Sequence, residues 1–178
     1  MSSDIETHRK KLKQIFTYIK MYIFHVLEDL SPDDLTWRPD NTKARTIISY
    51  INHLMNTEIY WLKALDTSTY DYVRRDNSLN EIISLFEKVE KHYLRLIDEA
   101  TVDDLQIRRT IYEEKDGEII SVKQKGTLAW TVLRLALHTL GHISHINHIR
   151  YSLGKPPKEG GDYWWTYTEI MIGLFDIS

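Results

Sequence analysis

The chain contains no cysteine. This absence excludes disulfides, thiolate nucleophiles, zinc fingers and iron–sulfur clusters, so any bound metal must take nitrogen and oxygen ligands. Gly and Pro are also scarce, with 7 and 4 residues among 178, which argues against a turn-rich all-β protein and favours helices. Because 42% of the residues are apolar, a core can form without disulfide or metal support, and we expect one domain over residues 1–178.

Two kinds of segment are also missing from the chain. It has no apolar run of about 18 residues that could cross a bilayer, and no basic-then-apolar signal segment follows Met1. We therefore expect a cytoplasmic protein with no membrane partner. The 23 Lys and Arg residues are outnumbered by 26 Asp and Glu, and no basic block forms a footprint for a polyanion. We expect no nucleic-acid partner.

Apolar residues recur at spacings of three and four in four stretches, a pattern typical of amphipathic helices. Ser31-Pro32 is expected to end the first helix. Ser78-Leu79-Asn80-Glu81 is a capping box that begins the third, and Gly154 is expected to end the fourth. The four predicted helices cover residues 5–30, 47–65, 82–96 and 128–153.

The pattern changes between residues 106 and 123, where β-favouring residues stand on either side of Lys115-Asp116-Gly117. An Asp-Gly pair between two such runs predicts a β-hairpin. The aromatic-rich tail from Tyr163 to Phe175 predicts a short C-terminal helix. The expected fold class is therefore all-α, with a small inserted hairpin and a short helix at the C-terminus.

Four of the eight histidines fall in the eleven residues from His138 to His148. At about 100° per residue, His142 lies about 40° from His138 around the helix, and His145 about 20° from it on the other side. Two imidazoles four residues apart on one helix face can reach the same cation. His53, in the middle of the second predicted helix, is the expected third ligand, since bundle metal sites are built from facing helices. Three histidines would leave a coordination position open, as catalytic sites do.

Three further polar residues, His145, His148 and Glu58, lie near the predicted ligands in the sequence. His145 is a candidate catalytic residue: it could be a fourth ligand, a group that orients a ligand, or a proton carrier beside the site. His148 points to the flank of the helix and is expected at the surface or an interface. Glu58 follows His53 by five residues, about 140° around the helix, so we expect it in a salt bridge rather than on the metal.

The motifs around these residues resemble those of the DinB-like superfamily of metal-binding four-helix bundles, which includes damage-inducible and bacillithiol-transferase-like proteins. The resemblance covers nearly the whole chain. One difference follows the second histidine of the pair, where many members have His-Arg-Gly-Gln and this chain has His142-Ile143-Ser144-His145. The matching motifs are Leu30-Ser31-Pro32, Leu35-Thr36-Trp37-Arg38-Pro39, Thr46-Ile47-Ile48 before His53, Thr127-Leu128-Ala129-Trp130, His138-Thr139-Leu140-Gly141-His142, Gly154 and Pro156-Pro157.

The resemblance implies a four-helix bundle in which His53, His138 and His142 bind a divalent metal, with Zn²⁺ and Ni²⁺ both suited to these ligands. It also implies a metal-dependent thiol transferase, which would move bacillithiol, mycothiol or glutathione onto a small-molecule electrophile. Two alternatives remain open: a metal-dependent hydrolase in which His145 accepts a proton, and a non-catalytic metal-binding module of a stress response. We expect a homodimer.

Overall fold

Five helices and a two-stranded hairpin make up the computed structural model, which describes residues 2–39, 43–65, 69–73, 78–112 and 123–158. The prediction of an all-α fold with a small inserted hairpin is confirmed. None of the helices in these ranges is long and apolar enough to cross a membrane. The elements are α1 (Ser2–His25), α2 (Pro32–Thr36), α3 (Ile47–Ala64), α4 (Leu79–Glu99), β1 (Arg109–Tyr112), β2 (Lys123–Gly126) and α5 (Leu128–Ser152).

The four long helices form a bundle in which α1 and α3 each pack against both α4 and α5. Their apolar faces meet in one continuous core. Phe16 of α1 lies against Tyr93 of α4 there, with the ring centroids 4.7 Å apart. α3 and α5, which carry the histidines predicted to bind a metal, are in direct contact.

Side chains that accept hydrogen bonds from backbone N–H groups begin α2, α3, α4 and α5. The capping box predicted at Ser78 is confirmed: the Ser78 hydroxyl accepts from the Glu81 backbone, and the Glu81 carboxylate accepts from the Ser78 backbone. Thr46 caps α3 and Thr127 caps α5 in the same way. These caps satisfy donors that would otherwise have no partner in the first turn.

The first helix is shorter than predicted. It ends at His25 rather than at Ser31-Pro32, and Asp29 follows with a φ of 60°. Ser31 is instead the N-cap of α2, with Pro32 at its first position. Proline suits the start of a helix because its fixed φ is helical and its missing N–H has no partner there anyway. Ser31-Pro32 therefore begins α2 and does not end the first helix, so this prediction was wrong.

The hairpin strands pair antiparallel, from Arg109 opposite Gly126 to Tyr112 opposite Lys123. β2 lies against α3 and α5. The predicted Asp116-Gly117 turn lies in residues 113–122, outside the described residues. The predicted C-terminal helix lies in residues 159–178, which are also outside them.

Candidate metal centre

Three histidine side chains from two facing helices meet at one point. His53 projects from α3, and His138 and His142 project from neighbouring turns of α5. Nε2 of His138 lies 3.3 Å from Nε2 of His53 and 3.1 Å from Nε2 of His142. The three ligand atoms all lie within 4.8 Å of one another. The structure thus brings together the three residues that the sequence singled out.

The spacing of these nitrogens suits a metal ion. Tetrahedral coordination with metal–nitrogen bonds of about 2.0–2.1 Å places the ligand nitrogens about 3.3 Å apart. An imidazole nitrogen has one proton or one lone pair, so Nε2 of His138 cannot make a full hydrogen bond to both neighbours. A cation that accepts a lone pair from each ring satisfies all three nitrogens together. The residues present therefore could hold a metal.

The electrostatic surroundings keep the three imidazoles neutral. Burial, the neighbouring His142 and the Arg134 charge together lower the pKa of His138 to about 4, with burial as the largest cause. Burial, with His53 as the next cause, lowers the pKa of His142 to about 4. Burial also lowers the pKa of His53. At pH 7 each ring is in the neutral form that binds metals.

Tyr50 of α3 packs against His142 of the cluster and against His145 beside it. Its ring centroid lies 5.4 Å from that of His142 and 5.6 Å from that of His145, and it is stacked on His145 with an interplanar angle of 9°. Tyr50 was not among the predicted site residues, although it is an aromatic residue one helical turn before His53. The Nδ1 atoms of His138 and His142 are buried without a hydrogen-bond partner in the described part of the chain. Ring packing therefore helps to hold these imidazoles in place.

His145 lies beside the cluster rather than within it. Its side chain is exposed, and its ring centroid is 6.1 Å from that of His142. It is not part of the group of three whose nitrogens converge. This position leaves its ring open to solvent next to a predicted ligand. His148, one turn further on, is exposed as expected.

Glu58 is turned away from the three histidines, as predicted. Its buried carboxylate accepts a hydrogen bond from Lys20 of α1 in a salt bridge. Its backbone carbonyl accepts a hydrogen bond of 3.0 Å from the Tyr93 hydroxyl. Glu58 therefore joins α3 to α1 and α4 in the core.

A cavity of about 520 Å³ opens beside His53. Its lining includes Arg45, Asn52 and Asn56. Both polar atoms of the Asn56 amide are bonded to the backbone of Val73, at 3.2 and 2.6 Å, so Asn56 holds one wall of the cavity. Arg45 was not among the predicted site residues; its signal in the sequence is a basic residue directly before Thr46, the N-cap of the helix that carries His53.

A helical bundle whose facing helices bring three neutral imidazoles to one point belongs to the class of helical bundles that could hold a metal ion between their helices. Within that class, the family model of the DinB superfamily matches residues 16–146. The chain belongs to the DinB superfamily, and the resemblance seen in its motifs is confirmed. The matched range contains His53, His138 and His142. Neither the curated proteins nor the solved structures include a significant match to the chain.

Proposed function

We propose that this protein is a divalent-metal-dependent enzyme that binds Zn²⁺ or Ni²⁺ through His53, His138 and His142. The observation that carries the proposal is the convergence of three neutral Nε2 atoms from α3 and α5, with His138 3.1 and 3.3 Å from the other two. Three protein ligands leave room for a fourth ligand, which is the arrangement of catalytic rather than structural sites.

We further propose that the reaction is transfer of a low-molecular-weight thiol, of the bacillithiol, mycothiol or glutathione type, to an electrophile. A divalent metal at this site would supply a Lewis acid that lowers the pKa of a thiol. The chain has no cysteine, so the thiol must come from a cosubstrate. In this proposal a ring nitrogen of His145 accepts the thiol proton, and the exposure of His145 beside His142 supports that role.

The cavity of about 520 Å³ beside His53 supports a small-molecule substrate, since ligand sites commonly fall between 300 and 1,000 Å³. We also propose that the protein is a cytoplasmic homodimer. Light scattering on the purified protein will test its oligomeric state, and a monomer at all concentrations would refute that part.

Metal content tests the ligand assignment. Elemental analysis of untagged wild-type protein should give about one divalent ion per chain, while His53→Ala and His138→Ala should lose most of it. His148→Ala is the matched control, because His148 lies on the same helix as His138 but is exposed and outside the cluster. Equal metal content in all four proteins would refute the site.

Activity tests the reaction. Wild-type protein loaded with Zn²⁺ or Ni²⁺ should consume an electrophile such as chlorodinitrobenzene when bacillithiol, mycothiol or glutathione is added, faster than the same mixture without protein, and chelation should lower the rate to that of the protein-free mixture. Hydrolysis of ester or amide substrates without a thiol would favour the hydrolase. A steep fall in melting temperature on chelation, with no response to any thiol or substrate, would favour the non-catalytic module.

A further inference from the structure

The cavity beside His53 has a cationic lining. Arg45 is one of its lining residues, together with Asn52, His53 and Asn56. None of the described residues that line the cavity is an Asp or a Glu. Three neutral ligands would leave the charge of a divalent ion uncompensated, so the surroundings favour an anionic ligand in the open position.

Arg45 is the residue through which such a ligand can be recognised. Its side chain is exposed and lines the cavity beside His53. Within the described ranges it forms no ion pair, and its guanidinium lies 5.9 Å from the centroid of the Tyr50 ring. A guanidinium presents a planar edge of N–H donors that matches the two oxygens of a carboxylate. Arg45 is the one Lys or Arg among the lining residues, which suits one carboxylate.

A second polar group of the cavity also lacks a partner. Oδ1 of Asn52 is buried and accepts no hydrogen bond from any described residue. Asn56, one turn further along α3, is by contrast fully bonded to Val73. A buried acceptor without a donor is costly, and a bound N–H or O–H group would remove that cost.

We propose that this cavity binds a carboxylate-bearing thiol substrate, with the carboxylate on Arg45 and a neighbouring N–H or O–H group on Asn52. This inference rests on the proposed thiol transfer, and it names the part of the substrate that lies away from the reacting sulfur. Since His53 lines the same cavity as Arg45 and Asn52, a ligand held by these two residues lies beside one of the predicted metal ligands.

Two thiols of equal length test the inference. In protein loaded with Co²⁺, which takes nitrogen ligands and absorbs when a thiolate binds, mercaptopropionate should bind about tenfold more tightly than neutral mercaptopropanol. Arg45→Ala should remove this preference. Lys43→Ala should keep it, because Lys43 is exposed but is not part of the cavity lining. Equal affinity for the two thiols in wild-type protein, or an unchanged preference in Arg45→Ala, would overturn the inference and leave thiol binding intact.

The absence of an absorption band with both thiols would count against the proposed thiol transfer itself. In that case a second measurement tests the carboxylate site on its own. Propionate and neutral propionamide are then titrated into metal-free protein, with the side-chain amide of Asn52 followed by NMR. Saturable shifts with propionate alone, absent in Arg45→Ala and present in Lys43→Ala, would support a carboxylate site. The absence of saturable shifts in wild-type protein would overturn it.

Discussion

A buried ion pair joins α1 to α3 in the middle of the bundle. The Lys20 ammonium donates to the Glu58 carboxylate, and the two side chains are only 2% and 1% exposed. Lys20 Nζ also lies 4.3 Å from the centroid of the Phe86 ring. We predict that Lys20→Met, which keeps a long unbranched side chain and removes its charge, will destabilise the protein strongly at pH 7 and weakly at pH 5.

The magnitude follows from the carboxyl group that is left behind. Burial raises the pKa of Glu58, and the charge and hydrogen bond of Lys20 oppose that rise. Without Lys20, the folded state keeps Glu58 protonated. The unfolded pKa is about 4.3 and one pH unit corresponds to about 1.36 kcal/mol, so holding the proton at pH 7 costs about 3.7 kcal/mol. At pH 5 the cost falls to about 1 kcal/mol.

The sign of the pH dependence comes from the direction of the shift. Because the folded pKa of Glu58 lies above the unfolded pKa in the variant, the folded state is not penalised below the unfolded pKa and loses stability as the pH rises. An exposed pair should behave differently. Lys13 and Asp98 form a salt bridge with side chains 36% and 55% exposed, and Lys13→Met should change the free energy of unfolding by less than about 1 kcal/mol.

Urea denaturation of the metal-free protein at pH 5 and pH 7 measures these free energies. The double variant Lys20→Met/Glu58→Met is the matched control, because it removes both charges and leaves the space filled. Its stability should lie within about 1 kcal/mol of wild type, or above it, at both pH values. Two results would refute the reasoning: Lys20→Met as stable as wild type at pH 7, or a loss of equal size at pH 5 and pH 7.

Three further substitutions have defined outcomes. Arg150 is buried and donates four hydrogen bonds to backbone carbonyls before α2 and after α5, so Arg150→Lys should lower the free energy of unfolding in urea by about 3 kcal/mol; an unchanged midpoint would contradict this. Asn56→Ala removes both bonds to Val73 and should speed hydrogen exchange of the Val73 amide, whereas unchanged exchange would mean that other contacts hold the segment. Gly126→Ala places a Cβ against the ring of Trp130 and should cost about 1–3 kcal/mol in thermal denaturation; an unchanged melting temperature would contradict this and show that the ring moves aside at no cost.

The long helices could be predicted from sequence because their signals are local. Apolar residues at spacings of three and four mark the buried face of a helix, and the capping box at Ser78 fixes the start of α4. The end of α1 could not be predicted in the same way. The apolar pattern continues through Val26 and Leu27, which are buried, although the helix has already ended at His25. Burial of these residues depends on the packing of the segment and not on its helical form.

The candidate metal ligands could also be predicted, since a spacing of four residues brings His138 and His142 to one face of α5 and the bundle places α3 opposite. The charges around them could not. Arg45 precedes α3 and Lys20 lies on α1, and no periodicity relates either residue to the histidines or to Glu58. Their effects depend on the distances and burial that packing creates. A carboxylate in place of Arg45 would leave the histidine triad in position but would repel an anionic substrate. In this chain the ligands determine where a metal could bind, and the neighbouring charges determine what could bind beside it.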